Sequence, residues 1–198
     1  MTSQTVSRRH APVPARTAGI VIGAWTAMLW LIEMIDQLTR SALESFGIHA
    51  WNTSSLPAVF VAPLLHDDWA HLAANTLPFA VLGFLVLLGG YAAAFWATLV
   101  SVVVSGLFAW LLSPPGTVTI GASGLIFGWL TYLLLRGAFT RNGAQIAIAA
   151  GVLLVYGGVL WGVLPTQPGV SWQAHLGGAV GGGLAAWLLH GRSRSTRS

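Results

Sequence analysis

Three short stretches of this chain carry side chains that could act together on a carbonyl group: Gly121-Ala122-Ser123-Gly124, Ala174-His175-Leu176-Gly177-Gly178 and His71-Leu72-Ala73-Ala74-Asn75. A serine hydroxyl becomes a competent nucleophile when an imidazole within hydrogen-bond reach takes its proton. Ser123 and His175 supply that pair if the fold brings them together. Gly121 and Gly124 flank the serine, allowing unusual backbone angles and close approach by a substrate or a neighbouring helix. A serine opening a helix also sits among unpaired backbone N–H groups at the positive end of the helix dipole, a good place for a developing oxyanion. His71 and Asn75, four residues apart, share one helix face, and both can donate hydrogen bonds. With the Ser123 backbone N–H they could form an oxyanion hole, in which a preorganised donor is commonly worth about 3 kcal/mol.

Each stretch also has a plainer reading. Ser123 could be an N-cap between packing glycines. The Gly-x-Ser-x-Gly elbow of soluble hydrolases is not matched, because Leu125 fills its last position. His175 could be a solvated histidine beside ordinary small-residue packing, and His71 with Asn75 a pair of interhelical bonds. Against these readings, His71 and His175 fall near the outer ends of apolar spans, where a polar group is costly unless it is used. Small residues at positions 174, 178, 182 and 186 put Gly178 and Gly182 on one face of the His175 helix, and Gly124 and Gly128 give the Ser123 helix the same kind of face. Packing the two faces would carry the His175 ring to Ser123 Oγ.

The elements that must hold these groups are set by composition. The chain is 55% hydrophobic and 7% charged with 10 tryptophans, far more apolar than a soluble domain of this length needs for one core. Lipid must be part of its solvent. A helix crosses about 30 Å of hydrocarbon with about 20 apolar residues, so the chain has room for about six spans. The absence of cysteine excludes disulfides, thiolate chemistry and Cys-based metal sites. A net charge of +4 raises the question of nucleic acid, but the arginines lie beside apolar spans, where membrane topology explains them better. No His-Glu-x-x-His zinc motif is present, and Asp67-Asp68 lies outside any Gly-x-Gly-Asp context for a paired-aspartate enzyme.

A polar lead, residues 1–17, precedes a first span from Ala18 to about Leu38; a signal peptide fits less well, since the segment is long, ends in Glu33 and Asp36 and has no small-x-small cleavage pattern. Thr39 to His66 is the long connection, with apolar patches around Trp51 and Leu56–Val61 suited to the interface. Further spans are read at Ala70 to Leu88, Tyr91 to Leu112, Ala122 to Leu135, Ala144 to Leu164 and Trp172 to Leu189, separated by Gly89-Gly90, Pro114-Pro115-Gly116, the Arg136 to Arg141 segment and Pro165 to Pro168. With both termini cytoplasmic, only Arg40 of the nine arginines falls outside, while Glu33, Asp36, Glu44, Asp67 and Asp68 gather on the outer side. The fourth span is 14 residues. That is about 21 Å, short of the bilayer, so the loop before Ser123 should descend to line a cavity unless Arg136 snorkels and the helix runs on to Arg141.

The order and span placement of these three motifs resemble those of the rhomboid intramembrane serine proteases, over about residues 18–190. The resemblance implies an all-α bundle of six transmembrane helices at residues 18–190, between cytoplasmic tails at 1–17 and 191–198. It further implies a Ser–His dyad in a water-filled cavity opening outward, which cleaves the transmembrane helices of substrate proteins, or segments next to them, without a cofactor or metal. By position, Ser123 is the nucleophile, His175 the general base and later acid, and His71, Asn75 and the Ser123 N–H the oxyanion donors. Gly121, Gly124, Gly178 and Gly182 support them, and His66 matches a recurrent family histidine. Phe127 stands where many relatives have tyrosine; it can pack on the His175 ring but offers no hydroxyl. The first loop is short and lacks a Trp-Arg pair found in many relatives. With no carboxylate evident near His175, nothing strongly orients the imidazole and hydrolysis should be slower than with a full triad. The expected partners are single-span substrate proteins with helix-destabilising segments and membrane lipids, not nucleic acid, in a bacterial plasma membrane. A catalytically inactive relative that binds membrane clients and a transporter are the competing readings.

Overall fold

The computed structural model describes residues 12–165 and 169–191. Most of the expected N-terminal tail, the basic tail from residue 192 and most of the Pro165 to Pro168 turn lie outside the described residues. Six α-helices are present among the described residues: α1 (Ala15–Leu38), α2 (Trp69–Leu88), α3 (Tyr91–Leu112), α4 (Ser123–Thr140), α5 (Gly143–Tyr156) and α6 (Trp172–His190). Of these, α1, α2 and α3 are long and apolar enough to cross a membrane, and α5 is a shorter apolar helix.

The ends of the helices follow from local chemistry. Asp68 caps α2, its carboxylate accepting from the His71 N–H at 2.7 Å, which ties off an orphan donor of the first turn. The turn between α2 and α3 passes through Gly90 at φ +108°, a conformation that favours glycine. α1 lies along α2, with Trp30 stacked on Trp69 at 5.7 Å and its indole N–H donating to Thr76 Oγ1 at 3.0 Å. The long connection after α1 is folded into 3₁₀ helices at Ala42–Phe46, Thr53–Phe60 and Ala62–Leu64, and a two-stranded antiparallel ribbon in which β1 (Ile48–His49) pairs with β2 (Val118–Thr119), Ile48 opposite Thr119. It also supplies the Ala62 carbonyl that accepts from Gly121 N at 2.9 Å, joining it to the segment before α4.

α4 is the centre of the bundle, with Trp129, Leu130, Tyr132 and Leu133 buried on successive faces. α6 meets it backbone to backbone. A Cβ on Gly178 would fall 2.8 Å from the Gly124 carbonyl carbon, and one on Gly182 would fall 2.7 Å from that of Gly128. The neighbouring Gly177 and Gly181 turn to α3, where a Cβ would meet Phe108 Cβ at 2.6 Å and Ser101 Cα at 2.9 Å. α6 thus carries two small-residue faces and is clasped between α3 and α4, the close approach on which helix association in lipid depends.

Three expected boundaries move. α1 begins at Ala15 rather than Ala18. α4 does not stop at Leu135 but runs 18 residues to Thr140, about 27 Å, so most of the shortfall read from a 14-residue span disappears. Arg136 does not mark a surface: it is 5% exposed, packs against Gly89 at the α2–α3 turn and stands 5.8 Å over the Tyr132 ring. α5 stops at Tyr156 rather than near Leu164, because the Gly157-Gly158 pair weakens the helix and the chain tightens into a 3₁₀ helix, Gly157–Val163.

Candidate active site

Ser123 is the first residue of α4, and the N-cap is Ala122, which has no side chain to cap with. Its hydroxyl is therefore not spent on its own helix, as the capping reading required. Ser123 Oγ instead lies 2.8 Å from His175 Nε2, across the α4–α6 seam. His175 Nδ1 lies 2.8 Å from the Gly162 carbonyl oxygen. A carbonyl can only accept, so Nδ1 carries the ring hydrogen and Nε2 presents a lone pair to the serine O–H. This is the tautomer a general base needs. Phe127, one turn along α4, stacks on the imidazole with ring centroids 4.2 Å apart and planes 10° from parallel.

The expectation that nothing strongly orients His175 is thus corrected: a backbone carbonyl holds one nitrogen and an aromatic face holds the ring plane. The carbonyl comes from the 3₁₀ segment after α5, and backbone groups leave no signature in a sequence. The available signal was Gly162 itself, where a Cβ would fall 2.9 Å from Phe127 Cζ and 3.2 Å from His175 Nδ1.

The other expected residues gather at the same place. Ser123, His175, His71, Asn75 and Phe127 line one cavity of about 1010 Å³, which also reaches Glu44, Asp67 and Asp68. Gly121 adopts φ +116° and has the His71 ring against its Cα, so that a Cβ there would lie 2.8 Å from Cε1 and 2.9 Å from Nε2. Asn75 is buried, and its Nδ2 donates to the His71 carbonyl at 3.1 Å, which leaves a second amide hydrogen. His66, in the loop before α2, is 1% exposed, meets the His71 ring edge-on at 5.0 Å and accepts a long bond of 3.5 Å from Ala122 N. Burial, reinforced by repulsion from His71, pushes its imidazole down to about 4, so it is neutral near neutral pH. Among the described residues no group of three or more His, Asp or Glu is arranged to hold a metal ion.

Residues 53–192 match the Rhomboid domain, a stretch that contains Ser123, His175, His71, Asn75, Phe127 and His66. The chain belongs to the rhomboid family. It is 46% identical over 205 residues to an uncharacterized protein of Mycobacterium tuberculosis, covering 100% of this chain and 84% of that protein. An uncharacterized protein of Mycobacterium leprae is 46% identical over 188 residues, covering 91% of this chain and 74% of the relative. More distant is the rhomboid-like protein 11, chloroplastic, of Arabidopsis thaliana, 31% identical over 144 residues, covering 65% of this chain and 50% of that protein. In this rhomboid the domain match begins after α1 and takes in α2 to α6, the helices that supply Ser123, His175, His71 and Asn75. Rhomboid domains are usually serine intramembrane proteases, and the arrangement around Ser123 has the parts such chemistry needs.

Proposed function

We propose that this rhomboid is an intramembrane serine endopeptidase that hydrolyses peptide bonds in or next to the transmembrane helices of substrate proteins. The observation that carries the reading is the 2.8 Å contact of Ser123 Oγ with a His175 Nε2 whose tautomer is set by the Gly162 carbonyl. Ser123 Oγ attacks the scissile carbonyl carbon while His175 Nε2 takes the hydroxyl proton. The resulting oxyanion is met by the Ser123 backbone N–H at the start of α4, the free Asn75 amide hydrogen and His71. Collapse expels the amine with the proton from His175, leaving an acyl-serine. Water entering the cavity, activated by the same imidazole, then hydrolyses the ester.

The wider reading is a bundle of six spans, both termini cytoplasmic, with the cavity opening on the outer face of a bacterial plasma membrane. The expected cytoplasmic arginines support that orientation. Substrates are single-span proteins whose helices are easily unwound near that face, since an extended strand must reach Ser123.

The test is cleavage of a single-span substrate with a Gly- and Ala-rich outer segment by purified protein in liposomes. Ser123→Ala and His175→Ala should each lower product formation by at least about a thousandfold. Product that persists in Ser123→Ala would overturn the assignment. If wild type gave none and a serine-directed phosphonate left Ser123 unlabelled, the client-binding reading would replace it.

A further inference from the structure

The cavity contains an aspartate–histidine contact that the reaction above does not use. His71 Nδ1 lies 2.6 Å from Asp67 Oδ1, while the next residue, Asp68, holds the His71 backbone N–H. One histidine is thus bonded at ring and main chain by two consecutive aspartates. An ionised carboxylate only accepts, so Nδ1 carries a hydrogen. The Cε1–Nε2 edge of the ring packs against Gly121, two residues before Ser123. With a single ring hydrogen, Nε2 would show the cavity a lone pair, which repels an oxyanion. It donates only when the ring holds both hydrogens, the form in which the Asp67 contact becomes a charge-assisted hydrogen bond.

The two cavity histidines are therefore wired in opposite senses. His175 has a neutral carbonyl at Nδ1, which leaves Nε2 a base; His71 has a carboxylate there, which can pair with a ring that holds both hydrogens and so donates from Nε2. We infer that Asp67 is a positioning residue that holds His71 as an imidazolium with its Nε2–H turned to the Ser123 end of the cavity, so that an oxyanion formed there meets a charged donor. The inference deepens the protease reading and rests on it.

Other groups near His71 act on it from every side. Asp68 sits at the same helix start, Glu44 lies on the 3₁₀ helix that borders the cavity, and Glu33 of α1 is within electrostatic range of Asp67 and Asp68. His66 is neutral near neutral pH, His175 must be neutral to act as base, and the cavity residues of α4, Ser123 and Phe127, carry no charge. Asp67 is the carboxylate on the ring itself.

The test compares full-length wild type, Asp67→Asn and Asp67→Glu in detergent between about pH 6 and 9.5, reading kcat/KM for Ser123-dependent cleavage. Asp67→Asn should lose roughly tenfold near neutrality, less than removal of an oxyanion donor itself. Its alkaline limb should move to lower pH while the acid limb set by His175 stays, and Asp67→Glu should restore the limb. A profile of unchanged shape would overturn the inference. Nitrogen-15 NMR of histidine-labelled full-length protein, with His71 assigned by His71→Ala, decides it without turnover. Two protonated ring nitrogens at neutral pH in wild type and one in Asp67→Asn support it, and one in both overturns it. Absence of Ser123-dependent product in wild type would sink the protease reading alone.

Discussion

Replacing Gly178 by alanine tests the seam that holds the proposed dyad. The added Cβ would fall 2.8 Å from the Gly124 carbonyl carbon and nearer still to its oxygen. Carbon atoms pack at about 3.5 to 4.0 Å, so α6 must retreat from α4 by about 0.7 Å or more. Both contacting groups are main chain of long helices, and neither can swing aside. His175 lies three residues before Gly178, so the displacement is carried to its ring, and a Ser123 to His175 contact of 2.8 Å stretches to about 3.5 Å, past useful hydrogen bonding. Overpacking of this kind costs about 1 to 3 kcal/mol of stability, and misplacing reacting groups by about an ångström costs on the order of a hundredfold in rate. Gly183→Ala is the control: its Cβ would meet only Leu135 Cδ1 at 3.3 Å and Thr131 Cγ2 at 3.8 Å, both side-chain ends. Substrate cleavage in liposomes and thermal unfolding in detergent should separate the two variants, with Gly183→Ala near wild type. A Gly178→Ala protein with wild-type melting and turnover, or a Gly183→Ala protein as damaged, would refute the reasoning.

Gly121→Ala meets both a disfavoured φ and the His71 ring, so the segment before Ser123 must shift; a fall in kcat exceeding any rise in KM, with about 1 to 3 kcal/mol of lost stability, is the expected kinetic and melting result. His66 titrates near 6.5 when unfolded and at about 4 in place, so the unfolded chain binds more protons as pH falls through 6.5. Its contribution therefore lowers stability progressively from pH 6.5 to about 4, by on the order of 3 kcal/mol in full, and is absent above that window. Melting of wild type and His66→Gln across that range should show a steeper acid decline in wild type; parallel curves would contradict it.

The parts of the site legible in the sequence were those written in side chains. Ser123, His175, His71 and Asn75 were polar groups in apolar spans, and the four-residue spacing of Gly178 and Gly182 named the face that brings two of them together. The parts that were missed depend on partners distant in sequence. Arg136 looked like a boundary because an arginine in an apolar run is costly, and only the fold shows it packed beside Tyr132 and the Gly89 turn. The ribbon inside the long first connection is not legible in the sequence because it pairs Ile48 with Thr119, a partner that no local pattern announces. Likewise Ala122, not Ser123, caps α4, since the hydroxyl had a better partner on α6.

The acceptor behind the base has a genetic consequence. Where a carboxylate orients a catalytic imidazole, one codon change deletes it, and a substitution scan finds it at once. Here the acceptor is the oxygen of the Gly162 peptide unit, which every amino acid at that position would retain. A scan of this region would return no orienting residue, only a glycine intolerant of bulk. Probing the acceptor needs a backbone amide-to-ester exchange at residue 163, which weakens that carbonyl as an acceptor while leaving every side chain in place.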